Sequence, residues 1–313
     1  MIIGEIDICE YVKTFANRQV EDFDPQTGIS DPVATAYALR VGFLEEENIT
    51  HKLNRLLQDT QVAQIEALVF GMWNGRVSFY GDSSILVNAL VEASYQLSSL
   101  KALFIGDILF YDSNMALMKQ SNISPILEAY PSLEVLQVRG GSGLEFTPVR
   151  HNQLKKLIIQ TNGLSSKTIN QIWALHLPAL EHLELWLGID DYGGDSNVDT
   201  LRPVLDDIDL FPKLNYLGLR NSEYSEEIAK AIVQASIIKQ IKVLDLSVGS
   251  IGDKDCPVLL SSPAVNQLQT LNVSDNFLSE AMINQLNQLN IEVIAEDQKE
   301  EYERDRRYWP AEE

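Results

Sequence analysis

The chain is short of cysteine, histidine and positive charge, and each shortage excludes something. Its two cysteines, Cys9 and Cys256, among 313 residues make neither a disulfide framework nor a zinc-finger spacing. Both read as small buried hydrophobes. The four histidines (His51, His151, His176 and His182) have no nucleophile signature beside them, so no catalytic set emerges and no cofactor or metal is implied. Lys and Arg total 24 against 45 Asp and Glu, a net charge of −21. Such a chain repels a phosphate backbone, and counterion release cannot drive its association, which argues against nucleic acid as a partner. The acidity reads first as solubility. Also missing is any apolar run near the roughly 20 residues that a membrane-spanning helix needs. Residues 1–10 carry Glu5, Asp7 and Glu10 where a secretion signal would be basic. The expectation is a cytoplasmic protein without a membrane segment.

What is present is a repeat. Apolar residues recur at i, i+3 and i+5 eight times: Ile65/Leu68/Phe70, Leu100/Leu103/Ile105, Leu133/Leu136/Val138, Leu154/Leu157/Ile159, Leu180/Leu183/Leu185, Leu214/Leu217/Leu219, Ile241/Leu244/Leu246 and Leu268/Leu271/Val273. This L-x-x-L-x-L pattern is the leucine-rich-repeat signature, in which each unit offers one short strand that buries its apolar side chains only by stacking on neighbours. The starts at 65, 100, 133, 154, 180, 214, 241 and 268 give steps of 35, 33, 21, 26, 34, 27 and 27. Steps this long leave room for a helix in each repeat, and residues 225–235 and 279–289 show helical spacing. The predicted fold is an α/β right-handed leucine-rich-repeat solenoid, a horseshoe with a parallel sheet on its concave face and helices on its convex face.

Residues 1–64 lack the triplet and read as an N-terminal cap, with turn-rich Asp-Pro pairs, an edge strand over 36–43 and a helix over 48–58. The solenoid of about eight repeats covers 65–295, ending in a strand at 290–295. Residues 296–313 form a charged tail or cap, and Tyr302, Tyr308 and Trp309 suggest that part of it docks on the last repeat.

Side chains alternate across a sheet, so positions three, five, seven and eight of each repeat are read as facing the concave side. Position seven supplies Arg139, Trp186 and Arg220; position five supplies Glu184, Gly218 and Asp245; position three supplies His182 and Tyr216. Trp and Arg on a solvent-facing sheet are the residues that binding hot spots favour. The candidate partner-binding residues are therefore Arg139, Glu184, Trp186, Tyr216, Arg220 and Asp245, with Gly218 opening a small gap between them. The opposing reading is that Arg220 ties its own neighbours together. A second candidate is the stretch over 185–199, where Asp190, Asp191, Asp195 and Asp199 surround Gly193 and Gly194. Its spacing matches no EF-hand, and it reads as an ordered rim insertion whose glycines serve positive-φ turns. Arg139-Gly-Gly-Ser-Gly143 lacks the Lys-Ser/Thr that a phosphate loop requires.

Four stretches extend beyond the repeat: Val138-Arg-Gly-Gly-Ser-Gly-Leu-Glu145, Leu185-Trp-Leu-Gly188 with Asp191-Tyr-Gly-Gly194, Leu217-Gly-Leu-Arg-Asn-Ser222 and Leu244-Asp-Leu-Ser-Val-Gly249. Together with Phe23-Asp-Pro25 and Asp31-Pro-Val33 they resemble a family of bacterial cytoplasmic leucine-rich-repeat proteins with a ribonuclease-inhibitor-like fold and no assigned activity. The likeness covers nearly the whole chain. It departs at Leu271-Asn-Val-Ser-Asp-Asn-Phe-Leu278, which follows the generic consensus. Members of the family resemble proteins encoded beside radical-SAM and ATP-grasp enzymes, which implies an accessory role in a modification pathway. The functional expectation is a non-enzymatic binding module that holds a protein or peptide on its concave face. The alternatives are an enzyme or a small-ligand or metal site using residues 190–199, and a structural subunit of a complex; the oligomeric state is left open.

Overall fold

The computed structural model describes residues 10–42, 47–74, 81–109, 115 and 117–300. The chain divides after Leu154 into two compact units.

In the first unit the elements run β1 (Thr14–Phe15), β2 (Arg18–Asp22), β3 (Thr35–Leu39), α1 (Ile49–Leu56), β4 (Ala67–Phe70), α2 (Ser84–Glu92), β5 (Ala102–Ile105), α3 (Ser124–Ala129) and β6 (Val135–Arg139). β1 and β2 form a small antiparallel pair; β2 to β6 then pair in parallel, each with the next. The register stacks Leu68 on Leu103 and Leu103 on Leu136, so equivalent triplet residues form rows. Strand β3 overlaps the stretch over 36–43 but is not the expected edge strand, because β2 and β4 pair with it on either side; Phe43 falls outside the described residues. Asn48 caps α1 by accepting from the His51 N–H, which fixes the expected helix start. The sheet face away from the triplet core is itself apolar here: Phe15, Ala36, Ala38, Ala67, Val69, Ala102 and Phe104 pack together, with the Phe15 and Phe104 rings 5.9 Å apart.

The second unit contains β7 (Lys156–Gln160), α4 (Ser166–Trp173), β8 (His182–Gly188), α5 (Val198–Asp206), β9 (Tyr216–Ser222), α6 (Ser225–Ile232), β10 (Val243–Asp245), α7 (Pro257–Leu260), β11 (Thr270–Asn272), α8 (Glu280–Leu286) and β12 (Glu292–Ile294). Its strands also pair in parallel in sequence order. Helix starts follow from local chemistry. Ser165 and Ser279 accept from the N–H three residues on, and Asn197 and Thr200 form a reciprocal capping box. In three repeats position eight is left-handed: Asn221 (φ 50°), near the end of β9, Val248 (φ 56°) and Asp275 (φ 54°), with Asp297 (φ 52°) following β12. Asn and Asp tolerate this region; Val248 is a strained choice.

Both units therefore have the α/β leucine-rich-repeat solenoid fold. All 24 triplet side chains are at most 4% exposed. Burying each is worth about 1.5–3 kcal/mol for a Leu- or Ile-sized group, which is why the pattern alone dictates the stack. No described helix is long and apolar enough to cross a membrane. The aromatic tail residues Tyr302, Tyr308 and Trp309 lie outside the described residues.

Candidate functional site

Five of the six candidate residues meet in the second unit, on the sheet face away from the triplet core. Register dictates the meeting. Glu184 on β8 pairs with Gly218 on β9, and Gly218 with Asp245 on β10. Trp186 stands beside Arg220, and His182 beside Tyr216. Because Gly218 has no side chain, Glu184 and Asp245 can approach the same ion from either flank. The expected gap is filled: a Cβ on Gly218 would lie 3.1 Å from both Glu184 Cγ and Tyr216 Cε1.

The side chains bond one another. Glu184 Oε1 accepts from the Trp186 indole N–H at 2.8 Å and from Arg220 at 3.1 Å. Arg220 Nε donates to Ser247 Oγ at 2.8 Å, with Asp245 Oδ1 3.7 Å away. The Ser247 hydroxyl donates to Asp245 Oδ1 at 2.6 Å, and the Tyr216 hydroxyl donates to Asp245 Oδ2 at 2.7 Å. The guanidinium also sits 4.9 Å from the Trp186 ring centre, and the His182 and Tyr216 rings stack at 3.7 Å.

Burial sets the electrostatics. Desolvation alone would raise the Glu184 carboxyl, but Arg220, with His182 and Trp186 beside it, holds it well below the usual carboxylate range. Burial would lower Arg220, and Glu184 and Asp245 overcome that and push it above its ordinary value. Burial raises the Tyr216 hydroxyl well above 10, and both carboxylates add to the effect. At neutral pH the cluster thus holds an arginine cation, a glutamate anion and a neutral tyrosine.

One expectation is overturned. Trp186 is 1% exposed, Arg220 7% and Glu184 5%, so these side chains do not stand out as a contact surface. Their polar atoms are instead bonded to one another and to Ser247 along the sheet face. Arg139, in the first unit, is likewise buried, with its guanidinium 5.3 Å from the Phe104 ring centre. Sequence reasoning also passed over Lys156. It occupies position three of its repeat, the count that selected His182 and Tyr216, and it pairs in register with His182.

The acidic stretch is an ordered loop built on backbone contact. Ile189 N–H donates to Asn162 O, and Gly193 takes φ 88° as expected. Gly194 does not take a positive φ; it is required because a Cβ would lie 2.8 Å from the carbonyl oxygens of Leu187 and Ile189. Asp195 accepts from the backbone N–H and hydroxyl of Ser166, and Asp199 lies beside Arg202. Among the described residues no group of three or more His, Cys, Asp or Glu is gathered to hold a metal. Cys256 is buried at the start of α7, and burial, aided by Asp253 and Asp255, pushes its thiol up to about 12.

No family profile matches the chain, and no curated protein matches it. Among solved structures it is similar to a Bacteroides fragilis protein from a structural genomics programme, with 26% identity over 83% of this chain and 75% of that one and a TM-score of 0.76. Fainter likenesses are an internalin from Listeria monocytogenes (16% identity, 77% and 55% coverage, TM-score 0.37) and human 5T4, a trophoblast glycoprotein (15%, 75% and 71%, TM-score 0.29). The Bacteroides protein shares the fold over most of both chains.

Proposed function

We propose that the protein is a non-enzymatic binding module that holds a protein or peptide on the sheet face away from the triplet core. Glu184, Trp186, Tyr216, Arg220 and Asp245 form the rigid floor of that site in the second unit, and Arg139 anchors the corresponding face of the first. The observation that carries the reading is the bonded network itself. The triplet core does not need it, and burying four charged or hydroxylated side chains costs desolvation that well-packed apolar residues would avoid. A fully bonded polar network does fix one conformation of the face, which lowers the ordering cost of a docking partner. The resemblance to bacterial cytoplasmic repeat proteins supports a cytoplasmic location and an accessory role in a modification pathway.

The test is affinity purification from the native cell with identification of retained proteins, followed by binding measurements on the purified pair. Val243→Arg and Ser274→Arg place bulky charge at half-buried positions on this face. Each should weaken binding by at least about 1–2 kcal/mol, whereas Lys230→Ala, on the exposed side of α6, should not. Binding of both face variants at parental strength would place the interface elsewhere.

A further inference from the structure

The sheet face of the first unit is occupied by a piece of the same chain. Strands β1 and β5 are four places apart in the sheet order, about 19 Å at roughly 4.8 Å per strand. The Phe15 and Phe104 rings are nevertheless 5.9 Å apart, so the ribbon of β1 and β2 bends back across the face. Three contacts pin residues 10–16 there. The Tyr11 ring lies 4.2 Å from the Arg40 guanidinium just beyond β3, the Val12 N–H donates to Asp107 Oδ1 at 3.3 Å just beyond β5, and Phe15 packs among Ala38, Ala67, Val69, Ala102 and Phe104. The bed is made mostly of small side chains: Ala67 pairs in register with Ala102, and Ala38 with Val69.

The hold is slight. Of these seven residues only Phe15 is buried; Tyr11, Val12 and Ala16 are half-buried, and Glu10, Lys13 and Thr14 are exposed. β1 has two ladder pairs with β2, Thr14 with Gln19 and Phe15 with Arg18. The Val12 bond is long, and Asp107 does not depend on it, because Arg40 Nε and Nη2 bond its other oxygen at 3.0 Å and 2.6 Å. The turn that carries the strap puts Ala16 at φ 48° and Asn17 at φ 62°, and a left-handed alanine is strained. Beyond that turn the chain is fixed, with Arg18 donating to Val33 O and pairing with Glu66. A segment with one buried side chain on a strained hinge opens at a lower free energy than the sheet beneath it.

We propose that residues 10–16 are an intramolecular ligand of this face, and that an extended partner peptide carrying an aromatic side chain docks by taking their place. The inference rests on the docking reading above and names the chemistry that the first unit's face selects. A ring must fill the place of Phe15 between the alanines and Phe104. Charge does not select the peptide, because the ions at the rim, Arg40 with Asp22 and Asp107, already pair with one another. With the strap out, the face is a continuous apolar surface of the kind that marks a protein-interaction site. With the strap in, it is closed.

The experiment uses the full chain and, as probe, the blocked and fluorescently labelled peptide Glu-Tyr-Val-Lys-Thr-Phe-Ala, the sequence of residues 10–16. In the parent, the Val20 N–H, which donates to Lys13 O, should exchange with solvent faster than those of Ala102 and Gly106, which donate to Glu66 O and Phe70 O within the sheet. Phe15→Ala should keep the slow exchange at Ala102 and Gly106. It should bind the peptide at least about tenfold more tightly than the parent, which is competent only while its own strap is out. Binding should shift the amide resonances of Val69 and Ala102, and the same peptide with Ala in place of its Phe should not bind. Equal protection of all three amides in the parent, loss of slow exchange in Phe15→Ala, peptide affinity no higher in Phe15→Ala than in the parent, or shifts confined to the second unit overturns the proposal. Because the probe is the chain's own sequence, failure alongside intact partner retention removes the strap alone. Peptide binding by a protein that retains no partner removes the docking reading alone.

Discussion

Glu184 joins four members of the cluster: one oxygen takes the Trp186 and Arg220 donors, the other faces His182 and Tyr216. Glu184→Gln leaves the buried Arg220 with Asp245, at 3.7 Å, as its one carboxylate neighbour among the described residues, so it should destabilise by about 3 kcal/mol at neutral pH, the lower end for a broken buried pair. The folded-state pKa of Glu184 is depressed. Its contribution is thus complete above the unfolded value near 4.3 and is lost as pH falls below that toward the folded value. Urea denaturation of parent and variant should show a gap at pH 7 that narrows on acidification below pH 4; a gap independent of pH would sink the assignment. Trp186→Ala should cost about 3–5 kcal/mol, as for a buried aromatic, and a loss under about 1 kcal/mol would show the ring to be free. Sequence reasoning placed Trp186, Arg220 and Glu184 side by side correctly, because strand alternation and register decide which face a side chain leaves by. Alternation does not decide whether that side chain is shielded. Nor does it disclose the cross-strand bonds, such as Arg220 to Ser247, whose partners are 27 residues apart.

Among the elements, every strand carrying a triplet was legible, since an i, i+3, i+5 apolar pattern has few other uses at this spacing. β1 and β2 were not. β2 offers one apolar residue, Val20, and none of its residues is buried, so it carries no periodicity to read. The acidic loop was recognised as ordered, but its anchor was not, because close backbone approach leaves no pattern except glycine itself. Gly188 shows this best: it takes φ 73°, and a Cβ there would lie 1.9 Å from Asn162 O. Gly188→Ala should therefore destabilise by more than the roughly 1–3 kcal/mol that a left-handed non-glycine residue costs alone. It should also speed amide exchange at Ile189, whose N–H donates to the same Asn162 carbonyl. Parental exchange at Ile189 would mean the close approach is not what holds the loop.

For the molecule as a whole, the dominant long-range term is the net charge of −21. Ion pairs such as Arg18 with Glu66 and Arg40 with Asp107 engage cations that are already few, which leaves most acids facing one another through solvent. Raising salt from about 10 mM to about 150 mM shortens the Debye length from roughly 30 Å to 8 Å and relieves that repulsion. The melting temperature should rise over this interval. A fall would mean that the exposed ion pairs outweigh the repulsion.

The left-handed residues of the second unit have an engineering consequence. Asn221, Val248 and Asp275 recur at the same repeat position, and Asn221 to Val248 to Asp275 are each 27 residues apart, while the triplet starts along the chain are spaced anywhere from 21 to 35. Across these three repeats the interval from triplet start to turn is constant, and the segment beyond the turn returns the chain to the next strand. A foreign loop or affinity tag inserted there, for example at the exposed Ile208, should leave every strand in register. One extra residue between a triplet start and its turn would send the following side chains to the opposite face of the sheet. Repeat length and the chemistry of the sheet face are in this way separately adjustable, and the chain can be lengthened without rewriting what that face displays.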